Sequence, residues 1–147
     1  SFFPDLKFDG TLAFVNQSDG IIIGTVKDLQ TAKVPSNFRS GKKDIVTNAV
    51  ISVEKYLFNP KNLSLSDVTV QTVGGTIGNE SMTMEDSPVF EKGQRVVVFL
   101  RQENNNTFTV FGGPQGKYTI NNDNVAYGTQ EQETFNGVFG KQMTLDD

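Results

Sequence analysis

The chain has 147 residues, enough for one domain with a sizeable core, and a formal net charge of −4. That acidic balance disfavours a polyanion-binding surface. Cysteine and histidine are both absent, which excludes disulfides, thiolate chemistry, Ser-His-Asp and Cys-His nucleophile systems and histidine-ligated zinc.

Twelve phenylalanines, fourteen glycines and no tryptophan, with plentiful threonine, valine and asparagine, favour strands joined by turns. No run approaches the length of a transmembrane helix. Residues 1–10 (SFFPDLKFDG) form a lead-in whose phenylalanines can pack onto the domain. They lack the charged start and apolar core of a signal peptide, so any export signal is expected to have been removed upstream. Residues 11–18 predict a short N-terminal helix, capped by Asp9 or Thr11, with Leu12 and Val15 on one face.

Residues 21–30 predict a strand. Ile22, Gly24 and Val26 lie on one face and Ile21, Ile23 and Thr25 on the other. Glycine in mid-strand points to a bulge of the kind that curls a sheet into a barrel. Residues 34–43 (VPSNFRSGKK) read as a hairpin loop, with Arg39, Lys42 and Lys43 as a solvated tip rather than a binding patch. Residues 45–58 are a second long strand with Ala49, Ile51 and Val53 on the core face. Asn59-Pro60-Lys61-Asn62 is a turn, and Val68, Val70 and Thr72 mark a third strand with period two.

Gly74-Gly75 and Gly78 then break the pattern. Their spacing fits neither phosphate-loop motif and no helical pattern follows, so they are read as structural turns. An insertion over 76–93 carries Met82 and Met84 in alternation and ends at the Lys92-Gly93 turn. Residues 95–101 (RVVVFLR) predict a central strand buried on both faces. Strands follow at 107–111, 117–120 and 125–127, separated by Gly112-Gly113-Pro114-Gln115-Gly116 and by the asparagine-rich turn 121–124. From 128 onward the chain is polar. Thr144-Leu145-Asp146-Asp147 looks like a capping box without its helix, which fits a longer chain trimmed here, and 128–147 is expected to be a weakly ordered tail.

Together these elements predict a mainly β fold: a five- to six-stranded Greek-key (OB-like) barrel with a short N-terminal helix and an insertion between strands 3 and 4, one domain over 1–147. A β-sandwich is the alternative, but it would want more strands of even length. Glu80, Glu85, Asp86 and Glu91 crowd the insertion in polar sequence, so they read as solvated surface rather than a paired-carboxylate site. Tyr56, Tyr118 and Tyr127 can form a stacking face for bases or sugars, or simply pack.

The order Gly24-Thr25-Val26, then Val73-Gly74-Gly75-Thr76-Ile77-Gly78, Met82, Pro88, Phe90, Gly93, residues 96–100 and Gln115-Gly116-Lys117 resembles a family of uncharacterised exported proteins of bacteria and archaea. The resemblance spans about residues 11–120, and the glycine turn and the Gln-Gly-Lys segment are its most specific parts. It implies an extracytoplasmic OB-like domain and supplies no catalytic residue.

The expected function is a non-catalytic binding or interaction module for a protein or glycan, with no cofactor, no metal and nucleic acid disfavoured. The alternatives are a hydrolase using carboxylates alone and a single-stranded nucleic-acid binder. The insertion is expected to fold back over the barrel with Met82, Met84 and Phe90 as apolar plugs, a burial contributing on the order of several kcal/mol. Gly74, Gly75, Gly78, Gly93 and Gly116 are the structural turns. Gln115 and Lys117 are expected beside this flap, either as ligand contacts or, by preference, as ties to its backbone carbonyls.

Overall fold

A computed structural model describes residues 16–122, 125–128 and 143–144. The strands in chain order are β1 (Gly20–Pro35), β2 (Lys43–Phe58), β3 (Asp67–Val73), β4 (Gly75–Ile77), β5 (Glu80–Met82), β6 (Arg95–Gln102) and β7 (Thr107–Val110). After a 3-10 turn, η1 (Gly113–Gly116), come β8 (Lys117–Ile120), β9 (Val125–Tyr127) and β10 (Met143–Thr144).

Five strands close a ring in the order β1-β2-β3-β7-β6 and back to β1. Every pair in the ring is antiparallel except β3 with β7, which is parallel. The β4–β5 hairpin is a separate two-stranded sheet between the third and fourth ring strands, where the insertion was expected. β6 pairs with β1 along one edge. Its other edge is shared between β8, opposite residues 96–98, and β7, opposite residues 100–102. β8, β9 and β10 continue the sheet outside the ring.

The arrangement explains why β1 and β6 are apolar at both parities. Ile22, Val26, Val96, Val98 and Leu100 point into the ring and pack with Ala49, Ile51, Val68, Val70 and Phe108. Ile21, Ile23, Val97 and Phe99 point outward and build a second core with Leu57, Tyr118, Ile120 and Ala126. Successive side chains of a strand face opposite ways, so a strand between two cores needs both faces apolar.

Gly24 is where β1 bends. The register with β2 shifts between Ile23 and Gly24 and again between Val26 and Asp28. A Cβ on Gly24 would lie 2.5 Å from the carbonyl oxygen of Ser52, so only glycine lets the two backbones approach this closely.

Several expectations need correction. β1 does not stop near residue 30 but runs to Pro35, because Thr31, Ala32, Lys33 and Val34 stay in register with Thr47, Val46, Ile45 and Asp44. The hairpin loop is correspondingly shorter. Ser36 closes it by accepting the N–H groups of Phe38 and Arg39 on its Oγ. Thr144 lies in β10, opposite Val125, and the rest of the capping-box sequence, 145–147, lies outside the described residues. The N-terminal helix is not shown: Asn16 and Gln17 are helical, and residues 11–15 lie outside the described residues, as do the lead-in over 1–10 and most of the tail.

Candidate functional site

The flap between β3 and β6 is rooted by positive-φ backbone that favours glycine. Gly74, Gly75, Gly78 and Gly93 have φ of +117°, +142°, +59° and +87°. At Gly75 a Cβ would also lie 2.6 Å from Thr47 Oγ1. The same Thr47 hydroxyl donates to the Gly74 carbonyl at 2.7 Å, and the Gly74 N–H donates to Ile45. Ser87 adds a second tie through its hydroxyl to the Val73 carbonyl at 2.9 Å. Lys33 on β1 pairs with Glu80 on β5 at 2.8 Å, fixing the flap tip over the long hairpin.

Of the three apolar plugs foreseen, Phe90 is buried against the interior core and Met82 is half-buried. Met84 is a correction: it is 37% exposed. β5 ends at Met82, and Asp86 turns the chain with φ of +65°. The alternation that would have put both methionines on one face therefore fails after two residues. Pro88, buried beside Phe90, fills that role.

Lys117 opens β8 and is 4% exposed. Its ammonium donates to the Val89 carbonyl at 2.6 Å and sits 5.2 Å from the centroid of the Phe90 ring. Burial pushes its pKa down to about 8, with Glu91 pulling back upward. This geometry is that of a tie between β8 and the flap. Gln115 lies in η1, half-buried. Gly116 has no room for a side chain, since a Cβ would lie 2.0 Å from the Phe111 carbonyl oxygen. The neighbouring Gly113 sets η1 beside the flap turn, its Cβ position 3.8 Å from the Asp86 carbonyl.

The remaining arm of the flap, residues 83–90, runs along β1 without pairing with it. Between the arm and the face of β1, β2 and β3 lies a groove of about 450 Å³, with the paired Thr31, Thr47 and Thr72 across it. Leu29 and Thr31 of β1, Thr47 of β2, Thr72 of β3 and the flap residues Met82, Met84, Pro88, Val89 and Phe90 line it. Val89 is 69% exposed on its rim. A second depression of about 360 Å³ continues from it past Ser81 and Met82 to Lys33, Arg39, Lys43 and Glu80. Arg39 folds back to donate to the Asp44 carboxylate at 2.9 Å and to the Lys43 carbonyl at 2.7 Å. Asp44 is buried, and hydrogen bonds from Ser36 and then Arg39 hold its pKa down. Lys42 and Lys43 are exposed.

Sequence reasoning identified the flap but not the opposite wall of the groove. Leu29, Thr31 and Lys33 alternate along β1 and face the flap, a signal hidden because the strand was ended too early. In sequence Arg39 and Lys43 read as a loop tip, whereas the hairpin carries them to one end of the groove.

The other constellations do not assemble. Glu80, Glu85, Asp86 and Glu91 are all exposed. Asp19, Asp28 and Asp44 are shifted downward, led by hydrogen bonds from the Gln102 N–H, the Gln30 amide and the Ser36 hydroxyl respectively, opposite to what a general acid needs. Tyr118 is in the second core against Phe99, its hydroxyl pushed up to about 12 by burial. Tyr56 donates to the Leu65 carbonyl at 2.6 Å. The Tyr127 side chain and residues 123–124 lie outside the described residues. Among those described, no group of three or more acidic residues is placed to hold a metal, and no helix is long and apolar enough to cross a membrane. No family model, curated protein or solved structure matches this chain.

Proposed function

We propose that this chain is a non-catalytic binding module on an OB-like barrel, holding its ligand in the groove between β1 and the flap. Setting aside the β4–β5 hairpin, the ring runs first-second-third-fifth-fourth-first with one parallel closure. That connectivity supports an OB-like Greek-key reading. The observation that carries the function is the groove itself: about 450 Å³, with an apolar floor and threonine hydroxyls around it, which is the usual make-up of a ligand pocket. Glycines at the flap root and the buried Lys117 contact preorganise its walls, and a preorganised site costs less to order on binding. Work outside the cytoplasm rests on the family resemblance alone.

The test is methyl-detected NMR on the protein with labelled methionine, screened against glycan and peptide pools. Met82 and Met84 methyl shifts that saturate with one pool support the reading. Unchanged methyls with both pools at millimolar concentration contradict it.

A further inference from the structure

The groove lies beside a free sheet edge. β1 is paired on both sides only over residues 20–25; beyond the bulge, residues 28–35 pair with β2 alone. The last contacts on the other side are the Val26 N–H to Gln94 and the Gly93 N–H to Val26. Among the described residues, no backbone hydrogen bond joins 28–34 to the flap arm across from it. An edge of this kind has unused N–H and C=O groups and is a template for another strand. The bulge after Val26, together with Lys33 and Pro35, limits uncontrolled pairing along this edge, and the edge also borders an apolar groove.

The charge around the groove is uneven. Its far end holds Lys33, Arg39 and Lys43, on a chain whose net charge is −4. Glu80 matches Lys33 and Asp44 matches Arg39. Lys43 is exposed and has no acidic partner among the described residues.

From these two features, and resting on the groove being a binding site, we infer that the ligand is an extended acidic segment of a protein, added as a strand to residues 28–34 of β1. Its backbone bonds to the free edge. One apolar side chain enters the groove beside Leu29 and Phe90, and a carboxylate four or six positions away, level with Lys33 or Pro35, meets Lys43, which lies opposite Pro35. The spacing follows from strand geometry. Alternate side chains share a face about 7 Å apart, and Leu29, Thr31 and Lys33 mark that face on β1. The backbone gives affinity and the two side chains give specificity. A neutral glycan would use neither the backbone edge nor the unmatched lysine.

The experiment is an NMR titration of the whole chain with short synthetic peptides of alternating threonine. One valine and one glutamate stand four or six positions apart. The controls replace the glutamate by lysine or N-methylate alternate backbone nitrogens. The expected result is that the glutamate peptide shifts the amides of residues 28–34 and the Met82 methyl. The lysine peptide should bind about tenfold more weakly at low salt, a difference of about 1.4 kcal/mol, and the N-methylated one should not bind. Lys43→Glu, which changes only an exposed side chain with no acidic partner among the described residues, should reverse the order of the two charged peptides. Equal binding of all three peptides, or an unchanged order in Lys43→Glu, overturns the inference. If no peptide binds but a glycan shifts the Met82 methyl, the inference fails while the groove reading stands. If nothing shifts it, both fail.

Discussion

The two halves of β1 are built from one continuous strand and serve opposite ends. Residues 20–25 have a partner on each edge and a core on each face. Residues 28–35 have one partner, and exposed or half-buried positions throughout. What separates them is the pair of register shifts at Gly24 and after Val26, which turn the strand away from β6 as β6 gives way to the flap. The lesson is that a barrel strand longer than its barrel is left with one unpaired edge when the neighbouring strand peels off. In this protein the flap arm preserves the gap rather than filling it.

The largest effect should come from the closed half. Phe108 is fully buried beneath it, and Phe108→Ala should cost about 3–5 kcal/mol by transfer and cavity terms, read from urea unfolding. A smaller loss would mean that the ring collapses around the void.

Next comes the seam where the flap meets β8. The Lys117 pKa is about 8 in the fold against 10.5 for the free side chain. Above about pH 8 the unfolded chain binds more protons at this site than the native one. Stability therefore rises with pH through this window, by at most about 3 kcal/mol, and the penalty is fully present below it. Lys117→Met should remove that rise, which is measured as the difference between the two proteins' urea midpoints near pH 7 and near pH 10. It should also speed amide exchange in residues 84–91, because the contact to Val89 is lost. Parallel pH profiles for the two proteins would sink this account of the lysine.

Gly24→Ala puts a Cβ against the Ser52 carbonyl and should cost about 1–3 kcal/mol as the strands are forced apart. Thermal or urea unfolding reads it directly. In the open half, Lys33→Ala removes only an exposed ion pair with Glu80, worth about 0.2–1 kcal/mol. Its effect on the urea midpoint should be the smallest of the set and should shrink further in high salt. A large loss there would show that the free half of the strand carries stability after all.

Much of the ring was legible in the sequence, because burial leaves a periodic mark. The doubly apolar RVVVFLR run became β6 between two cores, and the mid-strand Gly24 became the bulge. The glycine cluster at 74, 75 and 78 marked the flap root because backbone with positive φ excludes most side chains. The groove was only half legible. Phe90 was found, as an aromatic just before a central strand. The β1 wall was not, because Lys33 and Pro35 on either side of Val34 break the strand signature, and this segment is extended by pairing with β2. Met84 misled because its alternation with Met82 continues past the end of β5. The cationic end was invisible for a related reason: loop residues acquire a site only when the hairpin brings them beside Glu80 and Met82.

The most direct test of the free edge is native-state hydrogen exchange along β1. Residues 20–26 should exchange only through global unfolding, because both edges are bonded. Between 28 and 34, the amides that point away from β2 should exchange at nearly unprotected rates, alternating with protected neighbours. Uniform protection from 20 to 34 would contradict the account, since it would mean that the edge assigned to a ligand strand is already covered.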